Sequence, residues 1–280
     1  MSRPWPAPAK LNLFLHVLGR RADGYHDLQT VFQLVDLCDR LSFTPTPDGV
    51  ISRPEGPAEV PAEDDLAVRA ARLLQAESGS PRGAEIRIDK RIPAGGGLGG
   101  GSSDAATTLV ALNRLWGLGW PRAALAELGL ALGADVPVFV AGRSAWAEGV
   151  GERLAPVSLP ARWFAIVQPD CRVSTAEIFQ APELTRNSPP TTITGFLSSG
   201  GRNDCEPVVS GRHPQVAAAL DWLGARADAR LTGTGSCIFA GAEDEAAARR
   251  LLDGLPPAWR GFVARGIDAS PLLEREAAGA

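Results

Sequence analysis

Residues 93–115 read PAGGGLGGGSSDAATTLVALNRL. Six of the seven positions from 95 to 101 are glycine, and two serines and an aspartate follow. Beyond them Ala105, Leu109, Leu112 and Trp116 recur at helical spacing. A spacer would be solvated at both ends, whereas this run leads straight into an amphipathic helix. A run this rich in glycine costs conformational entropy that needs a return. The first turn of a helix leaves N–H groups unpaired, and glycine lets the preceding backbone fold back to aim more donors at the same point. An anion there gains hydrogen bonds together with the positive end of the helix macrodipole. The stretch is read as a phosphate cradle. It comprises Pro93, Ala94, Gly95, Gly96, Gly97, Leu98, Gly99, Gly100 and Gly101, with Ser102 or Ser103 capping the helix and Asp104 in its first turn.

Two templates discriminate the kind of cradle. Gly95, Gly97 and Gly100 match the G-x-G-x-x-G dinucleotide fingerprint, as any polyglycine run would. The preceding segment alternates in polarity and no acidic strand end follows at the right distance, which argues against that reading. Gly96 and Gly101 match the ends of a P-loop, but Ser102-Ser103 stand where Lys-Ser is required. A cation must then come from elsewhere in the chain.

Composition narrows the search. The chain has 280 residues, 45% of them hydrophobic, enough for two ordinary domains. With 28 basic and 32 acidic side chains it has no global field to attract nucleic acid or an anionic membrane. The four cysteines form no Cys-x-x-Cys pair, so neither a zinc site nor a disulfide framework is indicated, and free thiols suit the cytoplasm. The apolar run Leu11–Leu18 is too short to span a bilayer. Only Lys10 and Lys90 are lysines; every other cation is arginine. Each lysine is informative for that reason. Lys10 stands on an alternating stretch and is a candidate for charge stabilisation. Lys90, beside Arg91, reads as a solvated strand edge.

Along the chain, KLNLFLHVLGRR (10–21) alternates as a strand and ADGY (22–25) as a turn. Residues 28–45 read as one or two strands and 44–62 as a surface loop. Residues 64–79 have helical spacing, with Asp64 or Asp65 as N-cap and Gly79 as the stop. A strand (84–93), the glycine run with its helix, and a helix at 121–133 follow; DVPVFVAGRSAWAEGVGERL (135–154) reads as strand, turn, strand. The pattern restarts near 155. It runs through a strand (163–169), a polar, lid-like loop (181–202), a helix (213–226), a strand broken by a glycine turn (229–242), a helix (243–255) and a last strand (259–268). This is an α+β pattern with largely antiparallel sheets, in domains 1–155 and 156–280.

Phosphoryl transfer needs a phosphate cradle, a cation for developing charge and a group that orients or deprotonates the acceptor. Asp135, after Gly133 at a helix-to-strand junction, is either a turn aspartate or that last group. TGTGS (232–236), with Gly233 and Thr234, is a tight turn or a second set of amides for phosphates or acceptor. Tyr25, the only tyrosine, beside His26 is an anchored polar turn or an aromatic platform for a base. His16 and His213 read as structural, and Glu148 with Glu152 as turn residues, a distant second choice for metal.

Taken together, PAKLNLFLHVLGRRADGYHDLQTVFQ, IPAGGGLGGGSSDAATTLVALN, LGADVPVFVAGRSAWAEGVGE and RLTGTGSCIFA resemble, in order and over essentially the whole chain, the GHMP kinases. That family includes galactokinase and the homoserine, mevalonate and phosphomevalonate kinases. The resemblance implies a two-domain fold: an N-terminal ATP-binding domain with a mixed or antiparallel sheet and helices, then a ferredoxin-like C-terminal domain. The active site would lie between them. It implies ATP and Mg2+ as cofactors, ATP's phosphates lying on Pro93–Ser103, with no metal ligand fixed by the motif and Ser103 a candidate. Lys10 and Asp135 match the family's catalytic pair. Tyr25 and Phe179 imply a stacked base, His26 a reader of its edge, and Asn12 and Thr175 neighbours of a diphosphate. The expected acceptor is the 2-hydroxyl of a cytidine-diphosphate-linked erythritol. A GHMP kinase for homoserine or mevalonate, or a nucleotide-binding module without catalysis, are the alternatives. Ala94, where methionine is frequent, and Ser236, where alanine is frequent, neither supply nor remove chemistry.

Overall fold

Leu11, Leu15 and Val17 do lie on a strand. In the computed structural model, which describes residues 3–278, β1 (Trp5–Arg20) runs antiparallel to β2 (His26–Thr46). Their connection is a tight turn: the Tyr25 amide donates to Asp23 Oδ1 (3.0 Å) and the Arg21 amide to the Tyr25 carbonyl (2.8 Å). The pairing slips between Asn12 and Leu15, and the irregularity lets Lys10, Asn12 and Leu15 all line one cleft. β2 is a single 21-residue strand, and the expected loop at 44–62 holds its end and the short β3 (Ile51–Glu55).

α1 (Leu66–Ser78) starts where Asp65 accepts from the Ala67 amide (2.9 Å) and stops at left-handed Gly79. β4 (Gly83–Asp89) pairs antiparallel with β2 and parallel with β3. α2 (Gly100–Leu115) departs from expectation at its start. Gly99, in the left-handed region at φ +73°, occupies the cap position, no side chain caps the helix, and Ser102, Ser103 and Asp104 lie inside it. α3 (Arg122–Leu130) is followed by a second departure: α4 (Val136–Ala141) is a helix where a strand was expected. Its residues 136–140 are all buried, so the apolar run carries no period to tell strand from helix. Pro137 in its first turn and left-handed Gly142 at its end settle the matter. β5 (Ala145–Gly149) pairs with β2 and with β6 (Arg153–Pro156). Leu74, Leu109, Leu112 and Phe139 centre the core between these helices and the sheet.

The second half contains β7 (Trp163–Gln168), α5 (Thr175–Gln180), α6 (Ile193–Ser199), α7 (Glu206–Arg212), α8 (Pro214–Gly224), β8 (Ala229–Leu231), β9 (Ile238–Ala242), α9 (Glu245–Leu251), β10 (Arg260–Ile267) and α10 (Pro271–Ala277). Its sheet runs β10-β7-β9-β8, all antiparallel, with helices after β7 and after β9. That is the split βαβ order of a ferredoxin-like unit. β10 also pairs with β2, at Gly266–Val35 and Ile267–Leu34, which joins both sheets into one. Leu11, Leu98, Ile166 and Cys237 pack together across this seam. The 181–202 segment is pinned: the Ser188 amide donates to the Val17 carbonyl (3.1 Å) and the Thr191 amide to Gln29 Oε1 (2.9 Å). Among the described residues no helix is long and apolar enough to cross a membrane.

Candidate active site

The glycine run faces the seam with one side and a cleft with the other. Gly95, Gly97 and Gly99 have φ of +68°, +74° and +73°, alternating with residues outside that region. This alternation turns successive amides in one direction. The carbonyls are spent on the protein. Gly95 accepts from the Ser236 amide (3.3 Å), Gly96 from the Cys237 amide (3.1 Å) and Leu98 from the Lys10 amide (3.0 Å). Ala94 accepts from Gln168 Nε2 (3.3 Å) and Gly97 from Thr232 Oγ1 (3.5 Å). No amide from Ala94 through Ser102 donates to any other described residue. A loop with its acceptors used and its donors free, at the mouth of α2, is arranged as anion sites are. Its close fit needs glycine at 97, where a Cβ would sit 2.3 Å from the Thr232 carbonyl oxygen.

Lys10 lies on β1 with its side chain buried, and its Nζ is 3.3 Å from Asp135 Oδ2. The ammonium also donates to Asn12 Oδ1 and sits over the Phe32 ring at 5.4 Å. Asn12 is held in turn, its Nδ2 donating to Thr30 Oγ1 and its amide to Thr232 Oγ1, both at 2.9 Å. Asp135 stands at the N-cap of α4, yet its carboxylate caps nothing there. It keeps 32% of its side-chain surface open against 4% for Lys10. The cation is therefore a fixed element of the floor, and the carboxylate is available to a ligand.

The cleft encloses about 620 Å³ and is lined by the whole stretch Pro93–Ser102, by Lys10, Asn12 and Asp135, and by Thr175, Phe179, Gly233 and Thr234. Thr175 Oγ1 and Thr234 Oγ1 share a hydrogen bond of 2.8 Å across it. Three predicted residues stand apart. Ser103 is buried behind the loop with its Oγ unpartnered. Tyr25 is 62% exposed and does not line the cleft. His26 is buried, also off the lining, and stacks on Phe179 with ring centroids 5.2 Å apart.

Lys90 is not the solvated edge residue expected. Its Nζ bonds Asp39 and, at 2.8 Å, Asp104 Oδ2, and it lines the cleft. Burial pushes the Asp104 carboxyl well above the usual carboxylate range, with the Lys90 charge opposing. Burial alone would lower the Lys90 ammonium, but Asp104 and Asp39 together outweigh it and raise it. Asp39 also accepts from the Arg91 and Ile92 amides (2.6 and 2.8 Å), tying β2 to the entrance of the glycine run. The rarity of lysine in this chain was the available signal. Asn203, also missed, donates to the carbonyls of Leu231 (2.9 Å) and Gly233 (2.7 Å) and so shapes the second glycine turn. No group of three or more His, Cys, Asp or Glu among the described residues could hold a metal ion.

An amide cradle over a lysine–carboxylate pair, on an N-terminal α/β half joined to a ferredoxin-like half, defines a small-molecule kinase. The family descriptions "GHMP kinases N terminal domain" and "GHMP kinases C terminal" match residues 65–143 and 193–260. The chain belongs to the GHMP kinases and is an ATP-dependent small-molecule kinase. Over 274 residues it is 61% identical to the 4-diphosphocytidyl-2-C-methyl-D-erythritol kinase of Alkalilimnicola ehrlichii, covering 98% of this chain and 94% of that protein. The enzyme of the same name from Halorhodospira halophila is 60% identical, with 96% and 94% covered. A crystal structure of 4-(cytidine 5'-diphospho)-2C-methyl-D-erythritol kinase superposes with a TM-score of 0.82 at 36% identity, over 94% of this chain and 99% of that one.

Proposed function

We propose that this kinase transfers the γ-phosphate of ATP to the 2-hydroxyl of 4-diphosphocytidyl-2-C-methyl-D-erythritol. The observation that carries the reading is the 3.3 Å contact between Lys10 and Asp135, between the amide cradle and the Thr175–Phe179 end of one cleft. The relatives, alike over nearly the whole chain, supply the acceptor by their names.

In this reading the free amides of 94–102 hold the triphosphate. Asp135 accepts the proton of the 2-hydroxyl as its oxygen attacks the γ-phosphorus. The bond from that phosphorus to the β,γ-bridging oxygen breaks, its electrons remain on the β-phosphate, and ADP leaves. Lys10 pairs with the Asp135 carboxylate at 3.3 Å and offsets the charge that develops on the transferring group. Mg2+ would supply further charge neutralisation on the phosphates. Ser103, the candidate ligand, has an unpartnered Oγ but is buried off the cleft lining, so phosphate oxygens and water would hold the ion. At the far end the base would lie between Tyr25 and Phe179, with His26 on its edge and Asn12, Gly233 and Thr234 near the diphosphate-bearing chain. The reading includes a division into domains 1–155 and 156–280, with α10 returning to pack on β1 and α2. It also includes a cytoplasmic setting and a small-molecule partner in place of nucleic acid or membrane, supported by the near-balanced charge.

The test is ADP release from MgATP with a panel of alcohols: the cytidylyl erythritol, homoserine and mevalonate. Turnover of the first alone is the expected result. Turnover of another alcohol in its place overturns the acceptor, and ATP binding without any turnover overturns the kinase mechanism.

A further inference from the structure

At the base end of the cleft, one guanidinium has every bond directed inward. Arg186, half-buried between α5 and α6, donates Nε–H to His26 Nε2 (3.1 Å) and Nη1–H to the Leu184 carbonyl (3.1 Å). Its Nη2 donates to the carbonyls of Phe179 (2.9 Å) and Ala181 (2.7 Å). A guanidinium only donates and does not lose its charge in proteins. The ring nitrogen facing it must accept, which leaves the His26 imidazole neutral with its one proton on Nδ1. That Nδ1 has no partner among the described residues. The same arginine holds the backbone of Phe179, whose ring lies against the imidazole at an interplanar angle of 28°. One side chain thus sets both the protonation and the packing of two residues brought from opposite halves of the chain.

The geometry points to Arg186 as a positioning residue for nucleobase binding: it fixes His26 as the neutral Nδ1–H tautomer and locks it against Phe179, which lines the cleft, so one unpartnered N–H donor stands behind a preformed aromatic platform. The inference rests on the base-end assignment made above. It concerns how that end is prepared before the ligand arrives. The surrounding charges agree with a neutral ring. Burial pushes the His26 imidazolium below its ordinary range, and Arg186 and Arg20 push it further the same way.

The test uses the full chain labelled with 15N-histidine. Long-range 1H–15N spectra assign the three histidines with a His26→Gln variant, and the wild type is titrated to about pH 5.5. The expected spectrum has His26 protonated on Nδ1 alone at neutral pH, with its titration midpoint below the ordinary imidazole value. A proton on Nε2, or titration at the ordinary imidazole value of 6.5, overturns the proposal. In Arg186→Gln the tautomer is expected to relax toward the ordinary mixture and the pKa to rise. The KM for the cytidylyl substrate should rise about tenfold while kcat and the KM for ATP hold. Arg186→Lys keeps the charge but cannot make four divergent bonds, and should show the same KM. Full rescue by lysine, or an unchanged KM in both variants, overturns the positioning role. An inactive wild type would instead count against the proposed acceptor, because the tautomer is read without turnover.

Discussion

The two ends of the cleft are built from different materials. At the end proposed for phosphates the groups offered to a ligand are main-chain amides, their direction set by alternating glycine torsions and by carbonyls bonded to the second half of the chain and to Lys10. At the base end they are side chains. Tyr25 stands in solvent, His26 rests on Phe179, and Arg186 holds both of the latter from a distant loop. An end made of backbone is stiff because torsions and covalent geometry define it. An end made of side chains depends on remote hydrogen bonds and completes its contacts with the ligand. Lys10 and Asp135 lie between the two and take their positions from β1 and from the start of α4.

The largest effect belongs to that midpoint. Asp135→Asn should lower kcat by about 10²–10⁴-fold, the usual worth of a positioned proton acceptor. ATP affinity by equilibrium dialysis should stay unchanged, because the amides of the glycine run are untouched. Survival of turnover would remove the carboxylate from the chemistry and leave the two ends with nothing to join.

Next comes the support beneath the phosphate end. Lys90→Met leaves Asp39 and Asp104, both buried, without the cation they share. Breaking a buried pair in this way costs about 3 kcal/mol. The loss, read by chemical denaturation, should shrink as pH falls, since protonating Asp104 removes the unpaired charge. A stability unchanged at neutral pH would mean that the triad does not brace the loop. Somewhat smaller, Gly97→Ala forces a left-handed alanine and sets its Cβ 2.3 Å from the Thr232 carbonyl oxygen. About 2 kcal/mol of stability and a tenfold rise in the KM for ATP are expected.

How much of this was legible in the sequence follows the same division. The loop with free amides, proposed above for phosphates, could be read from residues 93–102, because its donors belong to the backbone and the glycine spacing is the signal, whereas Ser103 donates its amide to Gly99 and leaves the lining. The helix start was misjudged: serine is the usual cap, but left-handed Gly99 leaves no room in the pattern for one. α4 was misread because a run of five consecutive buried residues has no periodicity. Lys90 was misread because Asp39 lies 51 residues away and no local pattern announces the pairing. The bond from Arg186 to His26, 160 residues apart, was beyond reach for the same reason. Lys10 was picked out by the scarcity of lysine and Asp135 by its junction, but only the fold supplies their contact.

Tyr25→Ala probes the side-chain end. Tyr25 is 62% exposed, so removing its ring should leave stability unchanged. Stacking on a base is worth ~1–3 kcal/mol, which predicts a KM for the cytidylyl substrate about tenfold higher and a KM for ATP as before. Equal changes in both constants would mean that Tyr25 acts on the whole cleft, and the distinction between the ends would fail there.

The smallest expected effect is the control for the stiff end. Gly95 shares the positive φ of Gly97, at +68° against +74°, but a Cβ on it would meet nothing within 4 Å. Gly95→Ala therefore isolates the torsional cost of a left-handed alanine, about 1 kcal/mol, from the collision present at Gly97. Its carbonyl still accepts from the Ser236 amide in the native torsion, so the amides that follow keep their direction. The KM for ATP should change by less than about twofold, with the stability loss near half that of Gly97→Ala. If the two variants lose ATP affinity equally, torsion alone shapes the cradle and the contact with Thr232 is incidental. If only Gly97→Ala loses it, the phosphate end is backbone shaped by backbone, one half of the chain moulding the other.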